Sequence, residues 1–185
     1  MDKTEARIRL AIDAMGSDLG PSEVLEGVAQ AIDRSPWNTE FVLFGQEEII
    51  EPLITSHSIL SRSKVEFVHS PEVVGMEEKP IAGIKGKKKS SMSLALQALK
   101  DGEADALLSC GNTGCLMAGG AIKLRTLDGV ERPALCTIWP GRERYFTLLD
   151  AGANPHAKPF HIAQSAVLGS NYARVALGLV RPKVG

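Results

Sequence analysis

The sequence predicts an α/β fold in which helices cover both faces of a mostly parallel sheet. Three short apolar runs, at residues 8–15, 41–45 and 65–69, are typical of buried strands. A helical pattern separates each run from the next, and parallel strands need such crossover connections. A parallel sheet is normally buried on both faces, which gives a three-layer arrangement. The length suits one domain of this class, so residues 1–185 are predicted to form a single α/β domain.

The first predicted helix follows a break at residues 16–20 and extends from Pro21 to about residue 34. Proline suits the first helical turn because the N–H that it lacks has no intrahelical partner there. Apolar side chains recur on one face of this segment, which indicates that the helix packs against the sheet. These side chains are Val24, Val28, Ala31 and Ile32. A second helix is predicted at about residues 46–56.

The middle of the chain is predicted to hold a long connection and two more helices. The connection covers residues 70–80 and is followed by a lysine-rich segment and a helix at about residues 91–100. A further strand and helix are predicted within residues 105–126, where a short apolar run precedes a helical pattern.

The last third is predicted to add a hairpin and a long helix. Apolar runs at residues 132–140 and 145–150 indicate two strands, and the turn between them is too short for a crossover. Adjacent strands joined in this way run antiparallel. A helix is predicted at about residues 159–179, and residues 181–185 are predicted to enter another strand.

Composition excludes several classes of function. The chain has 21 basic and 22 acidic residues, and 5% of its residues are aromatic. Neither a basic surface nor aromatic platforms are expected, so nucleic acid is excluded as a partner. No apolar run is long enough for a membrane span, and the first residues lack an apolar signal region, which favours a cytoplasmic location. Three cysteines are too few for a disulfide framework or zinc site, so free thiols are expected.

A glycine-bracketed turn joins a buried strand to a helix at residues 109–117. Gly111 permits backbone angles that a side chain forbids. Asn112 or Thr113 can cap the helix that is predicted to begin near Gly114. The free N–H groups at such a helix start can hold an anion or a developing oxyanion. An ordinary strand-to-helix turn is the alternative interpretation, because small Gly/Asn/Thr turns are common in α/β domains.

A basic segment precedes the helix predicted at residues 91–100. Lys87, Lys88, Ser90 and Ser91 combine ammonium charges with hydroxyl and N–H donors, the groups that bind phosphate at helix starts. A solvated lysine run is the alternative interpretation. The segment lacks the G-x-x-x-x-G-K-[ST] pattern of nucleotide phosphate loops. No G-x-G-x-x-G follows the first strand, which argues against a nicotinamide cofactor.

Five segments carry more specific motifs, in order along the chain. The first is Ile-Asp-Ala-Met-Gly-Ser-Asp at residues 12–18, followed by Gly-Pro at residues 20–21. The next two are Lys-Lys-Lys-Ser-Ser-Met at residues 87–92 and Ser-Cys-Gly-Asn-Thr-Gly-Cys-Leu-Met at residues 109–117. The last two lie at residues 149–154 and 166–173. Together they resemble the phosphate acyltransferase PlsX family over essentially the whole chain.

The resemblance implies an α/β/α sandwich like that of the isocitrate and isopropylmalate dehydrogenases. It also implies an acyltransferase that moves a fatty acyl group from acyl-carrier protein to inorganic phosphate, giving acyl phosphate for phospholipid synthesis. We expect no metal or other cofactor, a homodimer, and peripheral association with the membrane. Family members are longer, so the chain is expected to be the N-terminal part of such an enzyme, with little activity alone.

Two other functions are open at this point. An acyl-CoA-dependent enzyme of the phosphotransacetylase kind would use the same chemistry of phosphate and thioester. A fragment that keeps only the fold and a phosphate site would bind phosphate without turnover. Comparison of acyl-carrier protein with acyl-CoA as donor separates the two enzymes, and binding without turnover identifies the fragment.

With the resemblance included, ten residues are candidates for the site. Asn112 and Thr113 are predicted to hold the thioester oxyanion, and His69 to protonate the departing thiol. The predicted phosphate- and substrate-binding residues are Lys87, Lys88, Ser90, Ser91, Asp13, Gly114 and Asn154. The alternatives are a pure helix cap for Asn112 and a structural histidine for His69. Cys115 could carry an acyl group, although small buried residues account better for all three cysteines.

Overall fold

The computed structural model describes residues 7–35, 38–63 and 65–185. The chain divides into two compact units, the first ending at Arg125 and the second extending from Thr126 to Gly185. The first unit holds a parallel sheet flanked by helices, so the predicted α/β class is confirmed. That residues 1–185 form one domain stays a prediction, and the two units are described separately.

Within its described residues, the first unit contains four parallel strands and five α-helices. The strands are β1 (Ile8–Asp13), β2 (Thr39–Gly45), β3 (Val65–His69) and β4 (Ala106–Ser109), in the spatial order β3-β2-β1-β4. The helices are α1 (Pro21–Arg34), α2 (Glu47–Ser56), α3 (Pro80–Gly86), α4 (Ser91–Asp101) and α5 (Thr113–Lys123), with a short 3₁₀ helix at Leu60–Arg62.

The sheet is buried on both faces because successive residues of each strand point to opposite sides. Ile12 and Leu43 lie on the face that packs against α1 and α2, in an apolar cluster with Val28. Ala11 and Val42 lie on the opposite face and pack against α4. The three layers of the predicted sandwich are therefore present in this unit.

The strand order creates a reversal between β1 and β4. The chain moves from β1 through β2 to β3 in one direction and then returns to the other side of β1. Ligands of open parallel sheets bind outside the carboxyl ends of the strands, at the point where the order reverses. The loops that follow β1 and β4 are therefore the expected location of a ligand-binding site.

A third apolar cluster joins the helices that lead to this edge. Its buried members include Ile84 of α3, Met92 and Leu96 of α4, and Cys115 of α5. Gly119 lies where α5 crosses α4, and a Cβ atom added to it would lie 2.4 Å from Leu96 Cδ1. Glycine at this position lets the two helices approach closely, which fixes α5 relative to the sheet.

We expect Gly119→Ala to destabilise the protein relative to Gly120→Ala. Alanine gains about 1 kcal/mol over glycine in a helix, but overpacking a buried contact costs about 1–3 kcal/mol. A Cβ on Gly120 meets no atom within 4 Å, so Gly120→Ala has the gain in helix propensity without the cost of overpacking. Urea unfolding should separate the two variants by about 1–3 kcal/mol. Equal effects would show that the helix crossing does not depend on Gly119.

The second unit contains the predicted hairpin and the long helix. Strands β5 (Cys136–Pro140) and β6 (Tyr145–Leu149) pair antiparallel, as the short turn between them predicts. Helix α6 (Pro159–Ala176) packs against β6. It ends before Gly178, whose φ of 65° is the left-handed conformation that terminates many helices.

Two sequence predictions need correction. The connection predicted at residues 70–80 is present up to Lys79, but no helix was predicted between it and the lysine segment, where α3 lies. Residues 181–185 form no strand, because none of them pairs with any strand within the described ranges. None of the helices in the described part of the chain has both the length and the apolar character of a membrane span.

Candidate functional site

Two polar residues end the adjacent central strands. Asp13 is the last residue of β1, Ser109 is the last residue of β4, and the two are paired in the parallel register. We call the region formed by these residues and the loops 14–20 and 110–112 the β1–β4 crevice. It lies at the carboxyl edge of the sheet, where the strand order reverses.

Asp13 is buried in this crevice and bonded on one side only. Asp13 is 2% exposed, and its Oδ2 accepts a hydrogen bond from Ser109 Oγ at 2.7 Å. Ser109 Oγ in turn accepts the backbone N–H of Gly111 at 3.1 Å. Asp13 Oδ1 is buried without a hydrogen-bond partner among the described residues. An unpartnered buried oxygen of this kind is costly and uncommon.

Glycines allow the two crevice loops to touch. A Cβ on Gly16 would lie 2.4 Å from Asp13 Oδ2 and 2.9 Å from Ser109 Oγ. A Cβ on Gly111 would lie 3.0 Å from the Cα of Gly16. The loops after β1 and β4 therefore meet backbone to backbone, which a larger residue at either position would prevent.

Asn112 uses its whole side chain in structural hydrogen bonds. Its Oδ1 accepts the N–H of Cys115 at 2.9 Å, so it is the N-cap of α5. Its Nδ2 donates to the carbonyls of Gly75, Met76 and Glu78 at 3.3, 2.8 and 3.0 Å. The predicted cap is confirmed, and the same amide fastens residues 75–78 to the start of the helix.

The first N–H groups of α5 are open, in the sense that they have no hydrogen-bond partner within the described chain. The backbone N–H groups of Thr113 and Gly114 donate to no atom of the described residues, whereas that of Cys115 is capped. A Cβ on Gly114 would lie 2.8 Å from Pro80 Cγ, so glycine lets α3 approach the start of α5. Open N–H groups at the positive end of a helix can receive an anion or an oxyanion.

Lys87 is tied to the segment that Asn112 also holds. Its Nζ donates to the carbonyl of Val73 at 2.7 Å and forms an ion pair with Glu78. The hydrogen bond from Lys87, together with that from the Gly75 N–H, holds the pKa of the Glu78 carboxyl below its ordinary value of 4.5. In this structure the ammonium group stabilises residues 73–78.

We expect this ion pair to make stability depend on pH in acid. A carboxyl whose pKa is lowered on folding stabilises the protein above its unfolded value, here 4.5, and this contribution is lost as pH falls through the lower folded value. The stability difference between the wild type and Glu78→Gln should therefore shrink below about pH 4.5. Urea unfolding at a series of pH values measures it. Glu77→Gln removes a neighbouring carboxyl that has no ion pair within the described chain, and should show no such dependence.

The two predicted serines are buried at the start of α4. Ser90 is the N-cap, and its Oγ accepts the Ser93 N–H at 3.3 Å and donates to the Lys87 carbonyl at 2.9 Å. Ser91 is 1% exposed, and its N–H donates to the Glu72 carbonyl. Lys88 is exposed and forms no ion pair with any residue in the described ranges. Of this cluster, Lys88 offers an ammonium group without a carboxylate partner.

His69 lies away from the β1–β4 crevice. It ends β3, and β2 separates β3 from β1, a distance of about 10 Å across two strand spacings. Its Nδ1 accepts the backbone N–H of Glu47 at 3.2 Å, at the start of α2. The structure therefore gives His69 a capping contact, and its role as a general acid stays a prediction.

The cysteines differ from one another in exposure. Cys115 is buried, and burial together with the nearby Glu78 charge raises the pKa of its thiol. A raised thiol pKa disfavours the thiolate that an acyl-cysteine route needs. Cys110 is exposed and Cys136 is half-buried, so the expectation that all three are small buried residues is wrong for Cys110.

Asn154 lies in the second unit, in a turn organised by Asp150. Its N–H and Nδ2 both donate to Asp150 Oδ2, at 2.6 and 3.1 Å, and Nδ2 also donates to the Pro133 carbonyl at 2.9 Å. Burial raises the pKa of Asp150, but hydrogen bonds from Leu135, Ala153 and Asn154 outweigh it and hold the pKa below its ordinary value. Asn154 and Asp150 line a cavity of about 200 Å³ in this unit.

Seven of the ten predicted residues lie near two helix starts of the first unit. Asn112, Thr113 and Gly114 are at α5, and the other four precede or begin α4: Lys87, Lys88, Ser90 and Ser91. Sequence reasoning missed Ser109, Gly16 and Glu78. The signal for Ser109 was available, since a polar residue ends each of two buried parallel strands. No cluster of His, Cys, Asp and Glu able to hold a metal is found in the described ranges.

The comparisons with known proteins identify the family. The family model described as "Fatty acid synthesis protein" matches residues 8–185. The chain belongs to this family. The chain is also similar to curated proteins named phosphate acyltransferase, among them those of Levilactobacillus brevis, 38% identical over 96% of the chain, Nitrobacter hamburgensis, 42% over 97%, and Azorhizobium caulinodans, 43% over 97%.

The chain spans about half the length of these relatives, covering 51%, 50% and 50% of them. Among solved structures, it resembles the phosphotransacetylase EutD from Staphylococcus aureus with a TM-score of 0.67 and 17% identity. That match covers 95% of this chain and 55% of the other. At this identity the likeness shows the fold alone, and it agrees with the predicted sandwich.

Proposed function

We propose that this member of the fatty acid synthesis family carries the phosphate-acyl transfer site of a phosphate acyltransferase. The proposed reaction moves a fatty acyl group from acyl-carrier protein to inorganic phosphate and gives acyl phosphate for phospholipid synthesis. One observation carries the proposal: identity of 38–43%, over nearly the whole chain, to proteins named phosphate acyltransferase. The open helix start beside the β1–β4 crevice supports it.

Inorganic phosphate is the nucleophile in this reaction, so no side-chain nucleophile is needed. An oxygen of hydrogen phosphate attacks the carbonyl carbon of the thioester, the C–S bond breaks, and the released thiolate takes the proton that the attacking phosphate gives up. Negative charge develops on the carbonyl oxygen, and fixed N–H donors aimed at that oxygen lower the barrier. The proposed donors are the open N–H groups of Thr113 and Gly114 at the positive end of α5.

The contacts of the remaining candidates separate a proposed phosphate ligand from residues that are proposed to hold the backbone. Lys88 is the proposed direct phosphate ligand because its ammonium group has no carboxylate partner within the described chain. Asn112, Lys87 and Ser90 are proposed to act by holding the backbone around the two helix starts. Roles of Asp13, Ser91, His69 and Asn154 toward substrate stay predictions.

The partners follow from the family resemblance. Acyl-carrier protein is the proposed donor, and homodimer formation, a cytoplasmic location and peripheral association with the membrane are proposed with it. The resemblance alone supports these points. These proposals concern the whole protein, because the chain spans about half the length of its relatives.

Product analysis tests the proposed function. Protein expressed from the complete natural reading frame is incubated with long-chain acyl-carrier protein and inorganic phosphate. We expect free carrier protein and acyl phosphate to form in equal amounts. The same incubation without phosphate should leave the thioester intact.

Two outcomes would contradict the proposal. Carrier protein released at the same rate without phosphate would identify a thioester hydrolase. Faster turnover of short acyl-CoA than of acyl-carrier protein would identify a phosphotransacetylase-like enzyme. Each donor is assayed over a range of concentrations, so that kcat/KM values are compared.

A further inference from the structure

We propose that Ser109 is a positioning residue. Its hydroxyl, held by Asp13, fixes the turn at residues 110–112 and so sets the direction of the Thr113 and Gly114 N–H groups. The inference rests on the proposed function, because the direction of these groups matters only when an anion meets them. Ser109 was not among the residues that the sequence singled out.

The hydrogen bonds of Ser109 form a chain from the sheet to the turn. A serine hydroxyl has one hydrogen, and here that hydrogen is donated to Asp13 Oδ2 at 2.7 Å. The oxygen accepts the N–H of Gly111 at 3.1 Å, in the turn that leads into α5. Bonds to a carboxylate are stronger than neutral ones, so the hydroxyl orientation is well defined.

The same bonds show that Ser109 acts through the turn. Because its one hydrogen is spent on Asp13, the hydroxyl has none left to donate to a substrate oxygen. Asp13 depends on Ser109 equally, since Oδ1 has no partner among the described residues. The pair therefore works as a unit that holds the peptide of Gly111.

Packing limits the other movements of the turn. Gly111 approaches the β1 loop so closely that a Cβ would lie 3.0 Å from the Cα of Gly16 and 3.4 Å from Met92 Cε. The turn is thus restrained by contact on the side of β1 and of α4, and by the Ser109 hydrogen bond at the Gly111 N–H. Loss of the hydroxyl frees the orientation of that peptide, two residues before Thr113.

Ser109→Ala tests the inference in the protein from the complete reading frame. We expect kcat to fall about 10- to 100-fold, because a small misplacement of catalytic groups costs that much. The phosphate KM should stay within about twofold, since the interaction is needed only in the transition state. Ser63→Ala is the matched control: its Oγ donates to the Ile59 carbonyl at 2.7 Å, away from the crevice, and its loss should leave kcat unchanged.

A double-mutant cycle and an exchange measurement sharpen the test. Asp13→Asn and Ser109→Ala should be non-additive in kcat if they act through one path. Amide hydrogen exchange at Gly111 should be faster in Ser109→Ala than in the wild type, with exchange at Leu94 in α4 unchanged. This second readout needs no turnover, so it remains decisive if the proposed function fails.

Three results would overturn the inference. The first is a kcat within twofold of the wild type for Ser109→Ala. The second is an equal loss of kcat in Ser63→Ala, which would show a general effect of stability. The third is unchanged exchange at Gly111. An inactive wild-type protein with faster Gly111 exchange in the variant would refute the proposed function and support the positioning by Ser109.

Discussion

Asn112→Ala should lower the thermal midpoint of the protein by about 5–15 °C. Its Oδ1 caps Cys115, and its two amide hydrogens serve three carbonyls of residues 75–78. Loss of the cap costs about 1 kcal/mol, and leaving these part-buried carbonyls without a donor brings the total to about 2–4 kcal/mol. Calorimetry measures the midpoint, and steady-state kinetics of the folded protein measure kcat separately.

Two variants separate the parts of this effect. Asn112→Asp keeps the cap acceptor but turns a carboxylate oxygen toward the carbonyls, so it should destabilise at least as much as alanine. Asn171→Ala removes an exposed asparagine with a single bond, to the Val167 carbonyl at 3.0 Å, and should change the midpoint little. Full stability in Asn112→Asp would show that the carbonyl bonds contribute nothing.

The kinetics of the same alanine variant test the predicted role at the oxyanion. Loss of an oxyanion donor typically lowers kcat about 10²–10³-fold. Since the Asn112 amide already donates to three carbonyls, we expect any loss of kcat to follow from displacement of the α5 start. A thermal midpoint that falls while kcat stays unchanged would contradict the oxyanion role and show that Asn112 is a structural residue.

Lys88→Ala should raise the phosphate KM about 10- to 100-fold with a smaller change in kcat. A hydrogen bond to a charged group contributes about 1.5–3 kcal/mol. The ammonium group of an exposed lysine without an ion pair can donate such a bond to phosphate. Stability should be unaffected, because Lys88 is exposed. Initial rates at varied phosphate concentration measure the effect.

Lys87→Ala and Lys100→Ala are the matched comparisons. Lys87 holds Val73 and Glu78, so its loss should lower stability more than it weakens phosphate binding. Lys100 is exposed at the far end of α4 and should be neutral in both measurements. A KM that rises more in Lys87→Ala than in Lys88→Ala would reverse the roles assigned to the two lysines.

Periodic apolar runs made most of the elements predictable. Strands β1 to β3 and helices α1 and α4 follow patterns that local sequence displays directly. Helix α3 has seven residues with two glycines, so its intrinsic tendency to form is low. It is stabilised by Ile84, which packs into the cluster with Leu96, a contact that local pattern does not reveal.

The functional residues were less predictable because their partners are distant in sequence. The Asn112 cap depends on residues within three positions, and it was predicted. Its bonds to residues 75–78 span 34–37 positions and could not be predicted. The predicted role of His69 as a general acid needs it close to the thioester, and this depends on the strand order, which places β2 between β3 and β1.

Phosphate titration followed by amide NMR tests the central claim most directly, that Lys88 binds phosphate beside the oxyanion donors at the start of α5. The 185-residue chain is labelled with ¹⁵N and titrated with inorganic phosphate at constant ionic strength, with chloride as the control salt. The account predicts saturable shifts of the Thr113 and Gly114 amides that Lys88→Ala weakens. Saturable shifts elsewhere, with the Thr113 and Gly114 amides unmoved, would contradict it.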